Sequence, residues 1–476
     1  MKRKFLVCIM AFTLLCSMFD TKECYAAEWP AAPEITSGAA ILMDVDSKTI
    51  LYGKAENEQC YPASITKIMT TMLALENSKP EDVITFSHAA IYNIDSGSTH
   101  IGMNEGEQIK MQDALYAVML ASANEVANGV AETVAGSNEK FAEMMNNKAA
   151  ELGCKNTHFV NPHGLQNKNH YTTCYDMALI SREALKNEEF RKIIGTSSYT
   201  IGETNLTNEK RAFTNHQQML SGNKYPQYKY EGCLGGKTGY TSSANNTLVT
   251  FAERNGVTLV AVIMKSDFNS QYQDTIALMD YGFKNFKSFN ILDNEKSDTF
   301  KDELSEFNKY FDVSKDDSAC LYIDDTSTII LPNDAEYQSA KKEVKFFDNV
   351  ELKAGENRVG EITYSYLDRV VGKHDIILNK TDSKGLPTIK ISDKLKDFSL
   401  LISGSAEDSK SGETSANAKV RSKVYDFILV CFCLIIIFVV FLFFKMFIKK
   451  KRRKRAYNLR RRQSNSFWGN NDDYYY

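Results

Sequence analysis

Two stretches rich in apolar residues flank an Asp46-Ser47-Lys48 turn, so Ala39 to Val45 and Thr49 to Ala55 read as a hairpin of two half-buried strands. The period then changes. Ile65, Ile68, Met69, Met72, Leu73 and Leu75 recur at helical spacing over a face too wide for a surface helix, which predicts a helix near the centre of its domain. Further helices are predicted over roughly 111–121, 125–135 and 138–152. A second hairpin, Asn246 to Glu253 and Val257 to Met264 about an Arg254-Asn255-Gly256 turn, precedes a helix from about Gln271 to Phe283. Strands at both ends of a helical middle predict an α+β domain. Its antiparallel sheet is closed by N- and C-terminal strands, with helices on its faces.

From about Phe289 to Ile402 the texture becomes short alternating segments, such as Cys320 to Asp324, Thr328 to Leu331, Val344 to Leu352 and Val370 to Leu378. This predicts a small β-sandwich domain. Ser403 to Ser422 is polar, with too few large apolar residues to build a core, and reads as a flexible stalk. No internal repeat is visible.

The two ends carry addresses. Met1-Lys2-Arg3-Lys4, an apolar run from Phe5 to Phe19 and a small residue at Ala26 read as a secretory signal peptide cut after Ala26. Phe427 to Phe444 is uncharged and, with Met446 to Ile448, long enough to span a bilayer, and Lys449 to Arg455 is an unbroken basic block. Such a block stays on the cytoplasmic side, so the preceding chain is expected outside. The expected division is 1–26 signal peptide, 27–288 first domain, 289–402 β domain, 403–424 stalk, 425–448 membrane helix and 449–476 cytoplasmic tail.

Charge sharpens this picture. The chain as a whole is at −3, yet the segment between the signal peptide and Lys445 holds 42 basic against 56 acidic residues, a net −14. An acidic outer segment argues against nucleic acid as partner, and the basic tail suits the cytoplasmic membrane surface. Of ten cysteines, five lie outside the predicted signal and membrane segments: Cys60, Cys154, Cys174, Cys233 and Cys320. They are odd in number and have no CxxC spacing, so packed thiols are expected rather than a zinc site or disulfide framework.

Three short motifs carry the chemistry, in this order: Ser64-Ile65-Thr66-Lys67, Ser122-Ala123-Asn124 and Lys237-Thr238-Gly239. Positions three apart on a helix share a face, so Lys67 can reach the Ser64 hydroxyl. A serine hydroxyl needs a base, and a buried lysine serves when its ammonium form is disfavoured. Desolvation and the like charge of Lys237 both act in that direction. At a helix N-terminus the Ser64 N–H can face an oxyanion, with the Tyr240 N–H as second donor. Lys237 and Thr238 offer a cation and a hydroxyl on a strand edge, suited to the terminal carboxylate of a peptide docked as an added strand, and Gly239 leaves room for it. Ser122 can relay a proton to the leaving amine, and Asn124 can hold Lys67 or a substrate amide.

Together with Pro62-Ala63 before the first motif, Phe159-Val160-Asn161-Pro162-His163-Gly164-Leu165, and Tyr240-Thr241 after the third, these motifs resemble the low-molecular-mass D-alanyl-D-alanine carboxypeptidases. These are serine peptidases of the penicillin-binding class. The resemblance covers roughly 30–285, and Ala354-Gly355-Glu356-Asn357 resembles, more loosely, the β domain that follows in the family. It implies release of the terminal D-alanine from peptidoglycan stem pentapeptides through an acyl-Ser64 intermediate, covalent inhibition by β-lactams, and no metal or organic cofactor. Two departures from the family pattern stand out. Leu234-Gly235-Gly236 replaces the usual Asp-Gly-Leu and is expected to loosen the strand edge. Tyr272 stands near the place of an arginine that assists carboxylate binding, with Lys265 the nearest cation. His163 and Asp176 are read as structural, a turn histidine bonded to backbone and a helix or loop anchor. A β-lactamase is the nearest rival reading, disfavoured because no glutamate lies near 160–175 to drive deacylation. A catalytically idle β-lactam sensor or wall-binding protein is disfavoured by the intact motif set.

Overall fold

The computed structural model describes residues 28–295, 319–347, 350–351 and 353–380. The signal peptide, stalk, membrane helix and basic tail expected from the sequence lie outside the described residues. Among those described, no helix is long and apolar enough to cross a membrane.

Both expected hairpins form and join one antiparallel sheet. Strands β1 (Ala39–Asp44), β2 (Ile50–Lys54), β3 (Cys233–Thr241), β4 (Asn245–Arg254) and β5 (Val257–Ser266) run in the order β2-β1-β5-β4-β3. Ala39 to Asp44 pair with Met264 to Leu259 at the β1–β5 seam, so N- and C-terminal strands close the sheet. Both faces of these central strands are covered, and period-2 alternation feeds two cores. Ile41, Met43, Val260 and Val262 meet the helices α1 (Lys67–Asn77), α2 (Asn124–Ala135), α3 (Asn138–Glu151) and α4 (Cys174–Leu185). Leu42, Leu259 and Ile263 meet Leu278 and Met279 of α5 (Phe268–Asn285) on the other side. Every residue of α1 from Lys67 to Ala74 is buried, which is the central helix that the wide apolar face predicts.

Two helices differ from expectation. The stretch expected as one helix over 111–121 is α-helical only for Met111–Tyr116, then widens into a π-turn, Ala117–Ala121, and ends on a left-handed Ser122. Apolar spacing does not report a π-turn, since every residue of that turn is buried. Helix α5 starts three residues before Gln271. The Asp267 carboxylate accepts from the backbone N–H groups of Asn269 and Ser270, both at 2.9 Å, and so caps it.

The first strand of the β-rich segment starts at Phe286, directly after α5. Strand β6 (Phe286–Asn290) pairs with β8 (Thr328–Pro332), while β7 (Ala319–Tyr322), β9 (Lys341–Phe346), β10 (Gly355–Tyr366) and β11 (Arg369–Lys380) form a sheet in the order β7-β11-β10-β9. Gly372 of β11 packs on Ile329 of β8, and a His374 ring nitrogen bonds the Thr328 carbonyl at 2.6 Å, so ribbon and sheet face each other as a small sandwich. The strand expected from Val344 to Leu352 starts earlier, at Lys341, and stops at Phe346. Cys60, Cys154, Cys174 and Cys233 are free thiols, buried or half-buried.

Candidate active site

Ser64 sits on a tight turn, Ala63–Thr66, that leads into α1, whose first residue is Lys67. Ala63 is left-handed, with φ 50°, a conformation that costs a residue with a Cβ. Its neighbours hold it there. The Pro62 carbonyl accepts from Thr247 Oγ1 at 2.8 Å, and the Gly164 backbone lies so close that a methyl there would meet the Ala63 oxygen at 1.9 Å.

Lys67 is fully buried, and its Nζ lies 3.1 Å from Ser64 Oγ, 2.6 Å from Asn124 Oδ1 and 2.8 Å from the His163 carbonyl. Burial first, and then the Lys237 charge, hold its pKa well below the usual lysine value, with Glu125 opposing them. A neutral amine has two N–H donors and one lone pair. Asn124 and His163 can take the two donors, which turns the lone pair towards the Ser64 hydroxyl. The arrangement is therefore suited to removing the proton of Ser64.

The 161–165 turn is built to present that carbonyl. Asn161 accepts from the Gly164 N–H at 2.7 Å and donates to the Leu165 carbonyl at 3.1 Å, and Thr70 Oγ1 donates to the Pro162 carbonyl at 2.5 Å. The His163 ring accepts from the Leu165 N–H at 3.1 Å, the backbone-bonded turn histidine expected from the sequence. Burial keeps it neutral, with Lys67 adding to the effect. His170, held near 3 by burial, bonds Thr66 and the Val160 N–H beside it. Asp176 accepts from the Asn156 N–H and from Thr157, both at 2.8 Å, and so anchors a loop to α4.

Ser122 and Asn124 come from the end of the π-turn and the start of α2, both buried. Ser122 is a second left-handed residue with a Cβ, at φ 62°. Lys237 is buried on β3, donates to the Thr238 carbonyl at 2.8 Å, and has its pKa lowered by burial to about 7. Gly239 touches the nucleophile turn: a methyl there would lie 2.8 Å from the Ser64 nitrogen and 2.4 Å from Thr247 Oγ1. Thr238 is half-buried and Tyr240 exposed. The three motifs thus meet at one place.

The glycine pair before Lys237 is not a loose edge. Gly235 and Gly236 have φ 127° and 154°, and methyls on them would meet the Ile194 carbonyl oxygen at 2.2 Å and the Val249 carbonyl oxygen at 2.0 Å. Close packing on both sides requires glycine there and pins the start of β3. Tyr272 is buried and stacked on Tyr228, with ring centroids 4.7 Å apart, so it belongs to the core beneath the sheet. Lys265 is ion-paired with Glu58 at 2.5 Å.

Sequence reasoning missed two contributors. One is the His163 main-chain oxygen, which no side-chain pattern reports. The other is His216, exposed between buried Asn215 and Gln217. Asn215 bonds the Ile194 and Thr196 carbonyls at 3.0 Å each, and Gln217 bonds Thr250 at 3.0 Å. The His216 N–H bonds the Leu120 carbonyl at 3.4 Å, so the segment links the π-turn to the sheet. Although the residue is open to solvent, surrounding protein and the nearby Lys237 charge hold its pKa near 4.

A family model described as D-alanyl-D-alanine carboxypeptidase matches residues 26–268, a stretch containing all three motifs. The chain belongs to this family. The D-alanyl-D-alanine carboxypeptidase DacF of Bacillus subtilis is 30% identical over 319 residues, 66% of this chain and 77% of that protein. DacD of Escherichia coli, also a D-alanyl-D-alanine carboxypeptidase, is 29% identical over 306 residues, 61% and 74%. Among solved structures, penicillin binding protein 6B from Escherichia coli superposes with a TM-score of 0.54 at 25% identity, covering 73% of this chain and 96% of that one. The Streptomyces K15 DD-transpeptidase does so with a TM-score of 0.50 at 28% identity, over 54% and 100%. The family thus shares the α+β fold described above.

Proposed function

We propose that the chain is a serine-type D-Ala-D-Ala carboxypeptidase that removes the terminal D-alanine from peptidoglycan pentapeptide stems and is inhibited covalently by β-lactams. The observation that carries this reading is the buried Lys67 amine within reach of Ser64 Oγ, held by Asn124 and the His163 carbonyl. In the proposed reaction Lys67 takes the Ser64 proton as Oγ attacks the penultimate carbonyl, and the N–H groups of Ser64 and Tyr240 face the oxyanion. Collapse breaks the C–N bond. The leaving amine takes its proton through Ser122, free D-alanine departs, and water then cleaves the acyl-Ser64 ester. Lys237 and Thr238 bind the terminal carboxylate, and Gly239 keeps the strand close to the nucleophile turn. Incubating the purified extracytoplasmic segment with a pentapeptide muropeptide is expected to yield tetrapeptide and free D-alanine in equal amounts by mass spectrometry. An unchanged pentapeptide, or cleavage elsewhere in the stem, would overturn the reading.

The proposed setting is the outer face of the cytoplasmic membrane, with the chain secreted by its N-terminal signal and anchored by the 425–448 segment. The apolar run followed by seven consecutive basic residues, Lys449 to Arg455, supports this orientation. Protease added to intact cells is expected to cut within Ser403 to Ser422 and release a soluble, active fragment. Protection of that stretch, with digestion of the tail instead, would reverse the topology.

A further inference from the structure

Beside the two buried lysines of the site, Lys67 at 0% and Lys237 at 1% exposure, the chain buries a carboxylate, Glu125, also at 1%. A carboxylate out of water needs partners. Glu107, at 0%, has them, because Arg211 bonds its two oxygens at 2.7 and 3.0 Å. Glu125 has no cation bonded to it among the described residues. Its Oε1 accepts from the Ile101 N–H at 2.7 Å, and its Oε2 is buried with no hydrogen-bond partner among the described residues. Burial raises its pKa accordingly.

Two connections join this carboxylate to the reaction, and the first is mechanical. Asn124 donates its N–H to the Thr99 carbonyl at 3.0 Å and Glu125 takes the Ile101 N–H, so the first two residues of α2 grip one loop segment at alternate positions. Arg211 bonds the Ile101 and Gly102 carbonyls at 3.1 and 2.9 Å, so both main-chain groups of Ile101 are held. The same bonds fix the start of α2, whose Asn124 side chain lies 2.6 Å from Lys67 Nζ.

The second connection is electrostatic. Around Lys67 stand Lys237 on β3, Glu125 on α2, and the neutral imidazoles of His163 and His170. Around Glu125 stand Lys67 and the imidazole of His100. Lys237 opposes a positive charge on Lys67, and Glu125 favours one. When Lys67 takes the Ser64 proton it becomes an ammonium near Lys237, and the Glu125 carboxylate offsets that repulsion.

We infer that Glu125 is a positioning residue of the reaction, which holds the 99–102 segment against the start of α2 and stabilises the ammonium that Lys67 becomes as Ser64 attacks. The inference rests on the reading of Lys67 as the base for Ser64.

Two substitutions in the full-length protein separate the two roles. Glu125→Gln keeps an oxygen for the Ile101 N–H and removes the charge, whereas Glu125→Asp keeps the charge and is too short for the bond. The measurements are the pH profile of kcat/KM for D-alanine release from a D-Ala-D-Ala peptide and hydrogen–deuterium exchange at the Ile101 amide. Without the carboxylate Lys67 loses its proton more easily, so in Glu125→Gln the rising limb should move to lower pH. The plateau should also fall, because a weaker base takes the Ser64 proton less readily. The alkaline side should stay in place, since burial sets the Lys237 pKa. Exchange at Ile101 should match wild type. In Glu125→Asp the limb should keep its place while exchange at Ile101 speeds up by about threefold to tenfold, the scale of one hydrogen bond. A rising limb that Glu125→Gln leaves unmoved, or that Glu125→Asp moves as far, would overturn the electrostatic role. Unchanged exchange in Glu125→Asp would overturn the hold on the loop. A wild-type profile without a rising limb would instead remove Lys67 as the base.

Discussion

Ser64→Ala is expected to abolish covalent labelling by fluorescent penicillin and to lower D-alanine release by a factor on the order of a millionfold, the scale for losing a serine nucleophile. The fold should survive. Ser64 is only half-buried, and without its hydroxyl Lys67 keeps two partners, Asn124 Oδ1 at 2.6 Å and the His163 carbonyl at 2.8 Å. The buried amine is not left without partners, so thermal unfolding should stay close to wild type, which separates a chemical defect from a folding one. Lys67→Ala is the informative companion. It removes the base and leaves both acceptors without a donor in a buried site, so it should lose acylation and also stability. A penicillin adduct found by mass spectrometry on a residue other than Ser64, or persisting in Ser64→Ala, would displace the nucleophile assignment.

What the sequence makes legible depends on the range over which each feature is encoded. Ser64 and Lys67 share one helical turn, so their proximity follows from local geometry, as does the burial of α1 from its wide apolar face. The sheet order also follows from pattern, because strands at both ends of a helical middle close most simply through a β1–β5 pair. Other features have no local signature. The left-handed Ala63 packs against Gly164, about a hundred residues away in sequence, where a Cβ would meet the Ala63 oxygen. The third partner of Lys67 is a main-chain oxygen, identical in every residue type. Gly235-Gly236 reads as looseness in a sequence and is close packing in the structure, because a missing Cβ marks either freedom or contact. The widened turn at Ala117–Ala121 sets the phase of Ser122 relative to α2, yet its five residues are uniformly small or apolar. The readings of the terminal segments rest on composition, charge and length alone, and they fall outside the described residues.

Lys237→Ala should separate two roles of one charge. The first is binding: loss of a charge-assisted contact to the substrate carboxylate is expected to cost about 1.5–3 kcal/mol, one to two orders of magnitude in kcat/KM. The second is electrostatic and appears in the pH profile of kcat/KM, which reports the free enzyme. Burial lowers the Lys237 pKa to about 7, so Lys237 is charged below that pH and loses its charge above it. The wild-type profile should therefore rise as Lys67 gives up its proton and fall on the alkaline side as Lys237 gives up its own, the pair titrating jointly. Without Lys237 that alkaline fall disappears. The rising limb also moves up, because the positive field that helps hold the Lys67 pKa down is gone and Lys67 keeps its proton to higher pH. Both changes shift the optimum upward. Lys237→Arg keeps the charge at every pH, so it should lose the alkaline fall while leaving the rising limb in place, and should retain more activity than Ala despite its different shape. An Ala variant with unchanged turnover of a D-Ala-D-Ala peptide and an unchanged profile would assign Lys237 a structural role. The carboxylate anchor would then have to lie elsewhere, with Lys265, once freed from Glu58, the first candidate.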